Sequence, residues 1–155
     1  MNNPVALPGH FRRLGALLAL ALSMWASSAP AMEPLRFDAK PGPTSKVLLD
    51  RHFQSLEPAQ TTPPLAAIDL NEDGLDEFIA QTACKADGIC QYLVLAESRS
   101  AIVQLGLIAA RTLALGSAYS GGVRNIIAYK AGDNDFTPTL YIWEPASRQY
   151  MIKEE

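Results

Sequence analysis

Past residue 31, the apolar and polar positions divide into one helical stretch and then a long series of short alternating segments. Residues 32–44 read as extended chain, because Pro34, Pro41 and Pro43 oppose helix and Gly42 adds a turn. Val47, Leu48, Leu49, His52, Phe53 and Leu56 then recur at three- and four-residue intervals and gather on one face of a helix. Thr44 or Ser45 can cap that helix, and it ends near Glu57-Pro58. Residues 58–64 form an irregular connection. From residue 65 onward, apolar, β-branched and aromatic runs separated by turn residues predict strands at 66–70, 77–82, 91–97, 102–107, 112–117, 125–129 and 139–144, with a short edge run at 149–152. Tyr92, Val94 and Ala96 alternate with Leu93 and Leu95, and Tyr141 and Trp143 alternate with Leu140 and Ile142, so these strands bury at least one face. No repeat of fixed period runs through the chain, which argues against a full propeller or solenoid. The pattern predicts a mainly β, α+β fold: a single antiparallel sheet-rich domain of about seven strands with one N-terminal helix packed on it by Leu49, Phe53 and Leu56.

Composition fits one ordinary globular domain, at 155 residues with 48% hydrophobic, 8% aromatic and 19% charged residues. Residues 1–31 run from a polar stretch ending in Arg12-Arg13, through an apolar segment from Leu14 to Trp25, to the small-residue ending Ala29-Pro30-Ala31. That order is a secretory signal with cleavage expected after Ala31, leaving a globular domain at 32–155 in the periplasm. The apolar run is too short to span a hydrocarbon core of roughly 30 Å, so no membrane span is expected. Cleavage removes Arg12 and Arg13 and none of the 16 acids, moving the formal net charge from −3 to −5. Such a chain has no basic stripe for phosphates, which argues against nucleic acid and favours a basic partner through electrostatic steering.

Cys84 and Cys90 both lie beyond the leader, and in an exported chain the default reading is a disulfide closing the small loop around Asp87-Gly88. The chain-entropy model gives such a bridge roughly 2 kcal/mol. Metal binding is a weaker alternative, because Cys-x5-Cys has no second thiol pair and His52 is the only histidine past the leader.

One loop carries chemistry. Between the first two strands stands Asp69-Leu70-Asn71-Glu72-Asp73-Gly74-Leu75-Asp76-Glu77. Side-chain oxygens of Asp69, Asn71, Asp73 and Glu77, with the Leu75 carbonyl, suit a calcium ion, and Gly74 permits the sharp turn. The helix-loop-helix calcium pattern requires Glu at the twelfth loop position, where Ala80 stands. The alternative is a turn in which the Asp and Asn oxygens accept backbone N–H groups without an ion. The segment from Asp69 to Ala80 resembles the strand-loop-strand units of the FG-GAP and VCBS families. The resemblance implies calcium at Asp69, Asn71, Asp73, Leu75 and Glu77, and an envelope or glycan binding module. Those families repeat the unit around a propeller, and this chain carries one copy.

A second resemblance rests on layout: leader, Asp-rich loop, small disulfide loop, the strand Tyr92-Leu93-Val94-Leu95, a Gly/Ser hairpin and a terminal Trp143 and Tyr150. It resembles small periplasmic proteins, among them the immunity proteins against type VI secretion amidase effectors. The resemblance implies an inhibitor of a peptidoglycan amidase or muramidase that inserts a loop into the enzyme's cleft. Ser117, Tyr119, Ser120, Gly121 and Gly122 are the candidate partner-binding residues, since small residues allow close approach and Tyr119 can anchor by stacking. A plain hairpin whose glycines supply positive φ explains the same composition. The oligomeric state is open, a homodimer included. No catalytic set is expected. His52 lies on the apolar side of the helix, no serine sits in a Gly-x-Ser-x-Gly elbow, and the acid pairs Asp76/Glu77 and Asp133/Asp135 read as turn residues. Of the aromatics, Tyr119, Tyr141 or Trp143 exposed beside the Gly/Ser loop would make a binding patch.

Overall fold

A computed structural model describes residues 33–130 and 138–153. The expected leader at residues 1–31, the expected turn at Asp133 and Asp135, and Phe136 lie outside the described residues. The helix α1 (Pro43–Gln54) starts before both expected caps, Thr44 and Ser45, which lie inside its first turn. Gly42 is its N-cap, with no side-chain cap bond, and Pro43 is its first residue. Proline there is favourable: its missing N–H has no partner at a helix start in any case, and its φ is already helical. The far end closes at Ser55, whose hydroxyl donates to the His52 carbonyl at 2.7 Å, before the expected Glu57-Pro58. Arg51 in the last turn complements the helix dipole.

Among the described residues there are nine strands, in chain order β1 (Glu33–Pro34), β2 (Leu65–Ile68), β3 (Glu77–Cys84), β4 (Cys90–Ser98), β5 (Ala101–Ala110), β6 (Thr112–Ser120), β7 (Val123–Tyr129), β8 (Thr139–Glu144) and β9 (Gln149–Ile152). They form two antiparallel sheets, where the alternation had predicted one. The first is β2-β3-β4-β5, and the second is β1-β6-β7-β8-β9, in which β1 contributes only two residues. The division falls between β5 and β6, where a single residue, Arg111, separates two strands. One residue is too short to reverse the chain into a hairpin, so the chain passes into the second sheet. Arg111 is held from both sides: its N–H donates to Tyr129 of β7 at 2.8 Å, and its carbonyl accepts from the Tyr92 hydroxyl of β4 at 3.1 Å.

The period of two explains the layers. On β4, Tyr92 and Val94 face the second sheet while Leu95 faces the helix, and on β3 Ile79 and Phe78 divide the same way. The core between the sheets joins Ile79, Tyr92, Val94 and Ile108 to Leu113, Ile126, Tyr141 and Tyr150. A second core joins Leu49 and Phe53 of α1 to Leu65, Phe78, Ala80 and Leu95, with Leu56 packed at its border. Val47, assigned by periodicity to the apolar face, is instead 56% exposed. The result is a helix, a four-stranded sheet and a five-stranded sheet in three layers. At one open side Leu35 and Phe37 pack on the inter-sheet core, with the Phe37 ring 5.3 Å from that of Tyr92. At the other, Gly106 of β5 lets β9 approach, since a Cβ there would stand 3.0 Å from that of Tyr150.

The disulfide forms between Cys84 and Cys90, paired residues at the ends of β3 and β4. Gly88 takes φ +81° in the loop they close, and the Asp87 carboxylate accepts from the Ile89 N–H at 3.0 Å. Among the described residues, no helix is long and apolar enough to cross a membrane.

Phe53 is fully buried between α1 and the four-stranded sheet. Phe53→Ala is expected to cost about 3–5 kcal/mol, read as a lowered urea midpoint. His52 supplies a pH signature. Its Nε2 is buried without a hydrogen-bond partner, and desolvation lowers its pKa. The unfolded chain therefore binds the proton more readily, and stability present at neutral pH is lost as pH falls through the unfolded histidine value of about 6.5. Unfolding midpoints measured between about pH 7.5 and 5.5 should fall more steeply for the natural chain than for His52→Leu.

Candidate functional site

Strand direction gathers four connections at the end of the molecule opposite the disulfide: the loop between β2 and β3, and the β4–β5, β6–β7 and β8–β9 turns. The first is the Asp-rich loop. Its oxygens are used as turn acceptors. Asp69 takes the Asp73 N–H at 3.1 Å and the Gly74 N–H at 2.8 Å, Asn71 Oδ1 takes the Asp73 N–H at 2.9 Å, and Asp73 takes the Leu75 N–H at 2.8 Å. Gly74 has φ +85°, which glycine tolerates at no steric cost, and Glu72 takes the left-handed region at φ +59° as a non-glycine residue.

Glu77 closes the loop from the first residue of β3. It is buried, and its Oε2 accepts the Leu70 N–H at 2.8 Å. Burial pushes its carboxyl above the usual range and the Leu70 N–H opposes that rise, while the carboxylates of Asp73 and Asp69 add to it. The Asn71 amide relieves the crowding of acids, donating to Asp73 Oδ2 at 3.0 Å and pointing at Glu77 Oε1 from 3.5 Å. Its orientation is fixed by its other end, since Oδ1 already accepts a backbone N–H.

The side chains of Asp69, Asn71, Asp73 and Glu77 supply the hard oxygens that calcium favours. Among the described residues, however, no group of three or more His, Cys, Asp or Glu side chains stands close enough to hold a metal ion. The Asn71 amide occupies the position between Asp73 and Glu77 and must turn away for a cation to enter. Leu75, the expected carbonyl ligand, is 69% exposed.

The β6–β7 hairpin completes the site. Ser117, Tyr119 and Ser120 belong to β6, and Gly121 and Gly122 are a two-residue turn with φ +57° and +80°. Positive φ at both central positions makes the tight turn that matches strand twist. The hairpin is docked on its neighbours. The Tyr119 hydroxyl hydrogen-bonds Glu72 of the acidic loop, and the Arg124 N–H donates to the Leu70 carbonyl at 2.7 Å. The Glu72 contact raises the Tyr119 phenol above its ordinary value. On the other side Gly121 lies against the β8–β9 turn, where a Cβ would stand 2.8 Å from Pro145 and 3.0 Å from Trp143. Arg124 Nε donates to the Gly116 carbonyl at 3.0 Å, beside a register shift in β6 that turns Tyr119 toward the loop.

Between these parts lies a cleft of about 410 Å³, with Leu75, Leu105, Val123 and Trp143 as apolar wall and Asp76 and Glu97 at its rim. Glu72, Asp73, Asp76, Glu97 and Glu144 are all exposed and acidic at this end. Such a concave, apolar-walled and acid-rimmed surface is suited to a cationic side chain carried by a partner.

The two segments singled out in the sequence are therefore neighbours in space. Of the expected aromatic patch, Tyr119 is exposed and Trp143 half-buried, while Tyr141 is in the inter-sheet core. Glu72, Arg124 and Pro145 complete the site without having stood out in the sequence, which held no signal linking them. Of the catalytic candidates, both cysteines are in the disulfide, and the His52 ring contacts Phe53 on the helix layer. Asp76 is exposed, whereas its neighbour Glu77 is buried and engaged by Leu70. Comparison with protein-family models, curated proteins and solved structures finds no match to this chain.

The Asn71 amide bridge yields an expected outcome. Asn71→Asp replaces a donor with a further carboxylate and should lower stability in chelator by about 1–3 kcal/mol, measured by urea unfolding at neutral pH. An unchanged midpoint would show that the bridge carries no stability.

Proposed function

We propose that this chain is an exported, non-catalytic binding protein that inhibits a cell-wall peptidoglycan hydrolase, an amidase or a muramidase, in the manner of periplasmic immunity proteins. The observation that carries the reading is the docking of the β6–β7 hairpin on the acidic loop through Tyr119 and Glu72, which joins two exposed segments into one surface. Ser120, Gly121 and Gly122 form its small-residue side next to the exposed Tyr119, with the acid-rimmed cleft beside them. Export agrees with the leader-like residues 1–31 and with a disulfide that an oxidising compartment preserves.

The physical logic is complementarity. A hydrolase that grips the carboxylates of peptidoglycan stem peptides needs cationic groups in its cleft, and an acidic surface competes for them. Glycine at the hairpin tip lets a backbone approach closely, while Tyr119 adds a rigid aromatic contact at low entropic cost. Held by Glu72 and Trp143, the hairpin is preorganised, which lowers the cost of ordering it on binding.

A second reading keeps the same surface without inhibition: an envelope or glycan binding module stabilised by calcium at Asp69, Asn71, Asp73, Leu75 and Glu77. The oxygen-rich side chains around Gly74 favour it. An ion there would replace the Asn71 amide as the counter-charge, and its role would be structural.

The deciding experiment captures partners from an envelope fraction on the immobilised processed chain, in calcium and in chelator. Any hydrolase retained is then purified and assayed on peptidoglycan. One-to-one inhibition in both conditions, lost with Ser120→Arg, is the expected result. Retention of glycan alone, or binding that vanishes in chelator with no hydrolase inhibited, overturns the inhibitor reading in favour of the calcium-stabilised module.

A further inference from the structure

A second groove lies where the N-terminal segment crosses from one sheet to the other. Pro34 pairs with Ala114 at the edge of β6, and further along the Ala39 N–H donates to the Leu65 carbonyl of β2 at 2.9 Å. Between these two fixed points the segment stands away from β2 and leaves a wedge of about 600 Å³. Arg36 and Asp38 line one side, Ala66 and Ala67 the other, with Leu115 and Arg124 of the second sheet across the gap. The volume is in the range of small-ligand sites, and the wedge shares no lining residue with the acid-rimmed cleft.

Backbone register leaves one side of β2 open. The Gln81 N–H donates to the Pro64 carbonyl at 3.0 Å, and antiparallel pairs alternate between bonded and unbonded. Ala66 with Ile79 and Ile68 with Glu77 are therefore the bonded pairs, so the backbone polar groups of Leu65 and Ala67 point away from β3. The Leu65 carbonyl agrees, since it accepts from Ala39 on that side. Among the described residues no group takes the N–H or the carbonyl of Ala67, a half-buried residue on the wall of the wedge. A free donor and a free acceptor on an edge strand are completed by another extended backbone. The opposite edge of this sheet is blunted: a register shift bends β5 between Gln104 and Gly106, and β9 lies against it at Gly106.

We propose that this wedge binds an extended peptide carrying a carboxylate side chain, added as a further strand on β2. The peptide residue beside Ala67 accepts from its N–H and donates to its carbonyl. Side chains alternate along a strand, so the next peptide residue points the way Ala66 does, into the wedge where Arg36 and Arg124 stand. Charge selects an acid at that position. Among the described residues neither arginine has an ion pair, and the half-buried Arg124 side chain is engaged only through Nε, on the Gly116 carbonyl at 3.0 Å. Asp38 stands next to Ala39, at the narrow end, and leaves the arginines in excess. A lysine carried into the same place would meet like charge. Two strand hydrogen bonds and one charge-assisted contact make the binding weak, with dissociation at about 0.1–1 mM. The inference does not rest on inhibition of a hydrolase.

The test uses the full chain expressed with its own leader, purified as the cell processes it and isotope-labelled for amide NMR. The probe is an acetylated and amidated peptide, Ala-Val-Glu-Val-Ala, whose β-branched residues favour extended backbone. Titration should move the Ala67 amide proton downfield as it gains a hydrogen bond, with half-saturation between about 0.1 and 1 mM. Replacing the probe's glutamate with glutamine or lysine should weaken binding about tenfold or more. Ala67→Pro removes the outward N–H without taking a bond from the β2–β3 ladder, and should abolish the shifts read at the neighbouring Ile68 amide. Circular dichroism reports whether that variant folds. Arg36→Glu, at an exposed position, should weaken binding about tenfold and leave the unfolding midpoint unchanged. No shift at Ala67 with about 5 mM probe overturns the inference. So does equal binding of the lysine probe, or undiminished binding by folded Ala67→Pro or by Arg36→Glu.

Discussion

The architecture depends on how the chain changes sheets at Arg111. Two strands of nine or more residues abut there with a single residue between them, and both backbone groups of that residue are satisfied, the N–H by Tyr129 and the carbonyl by Tyr92. A buried polar backbone group left without a partner costs free energy comparable to a lost hydrogen bond. The crossing is therefore fixed to one geometry, which sets how the two sheets face each other. Tyr92 couples this to the core, because its ring is almost fully buried against Phe37 while its hydroxyl reaches the crossing. One side chain thus links the register of β4, the packing of the N-terminal segment and the path of the chain between layers.

The three layers follow from that crossing. Once the sheets stack, one face of β3 and β4 is covered by the second sheet, and the other needs a cover of its own. Leu49 and Phe53 provide it, spaced one helical turn apart so that both reach the same groove. The same stacking carries every connection at one end toward its neighbours. The β6–β7 turn meets the acidic loop on one side and the β8–β9 turn on the other, although Glu72 and Tyr119 are 47 residues apart in the chain.

Much of this was legible in the residues. Alternation located the strands, and Gly88 and Gly74 marked turns because their backbones need positive φ. The cysteine pair implied a bridge between neighbouring strand ends, and the Asp/Asn spacing revealed a loop whose oxygens turn inward. What was not legible is long-range. Local pattern carries no sign that Ala110 and Thr112 belong to different sheets, since a lone arginine between two strands has no turn signature. Pro43 was misread as a barrier to helix because only its position relative to Gly42 decides whether it starts a helix or interrupts one. Nor did the sequence pair Tyr119 with Glu72, or bring Pro145 against Gly121, because these contacts follow from where the strands end.

The acidic end also differs in kind from the rest of the molecule. Its shape comes from nine consecutive residues, one hairpin and one turn, whose contacts are mostly between side chains and backbone within the same segments. The cores are assembled from residues scattered over the whole chain. Divergence can therefore proceed at two rates. Exposed positions at that end, such as Leu75, Asp76 and Ser117, are free to vary without disturbing either core, while Gly121 is barred from change by Pro145 and Trp143. Under the proposed function, the scaffold and the hairpin tip would stay constant while the choice of partner drifted.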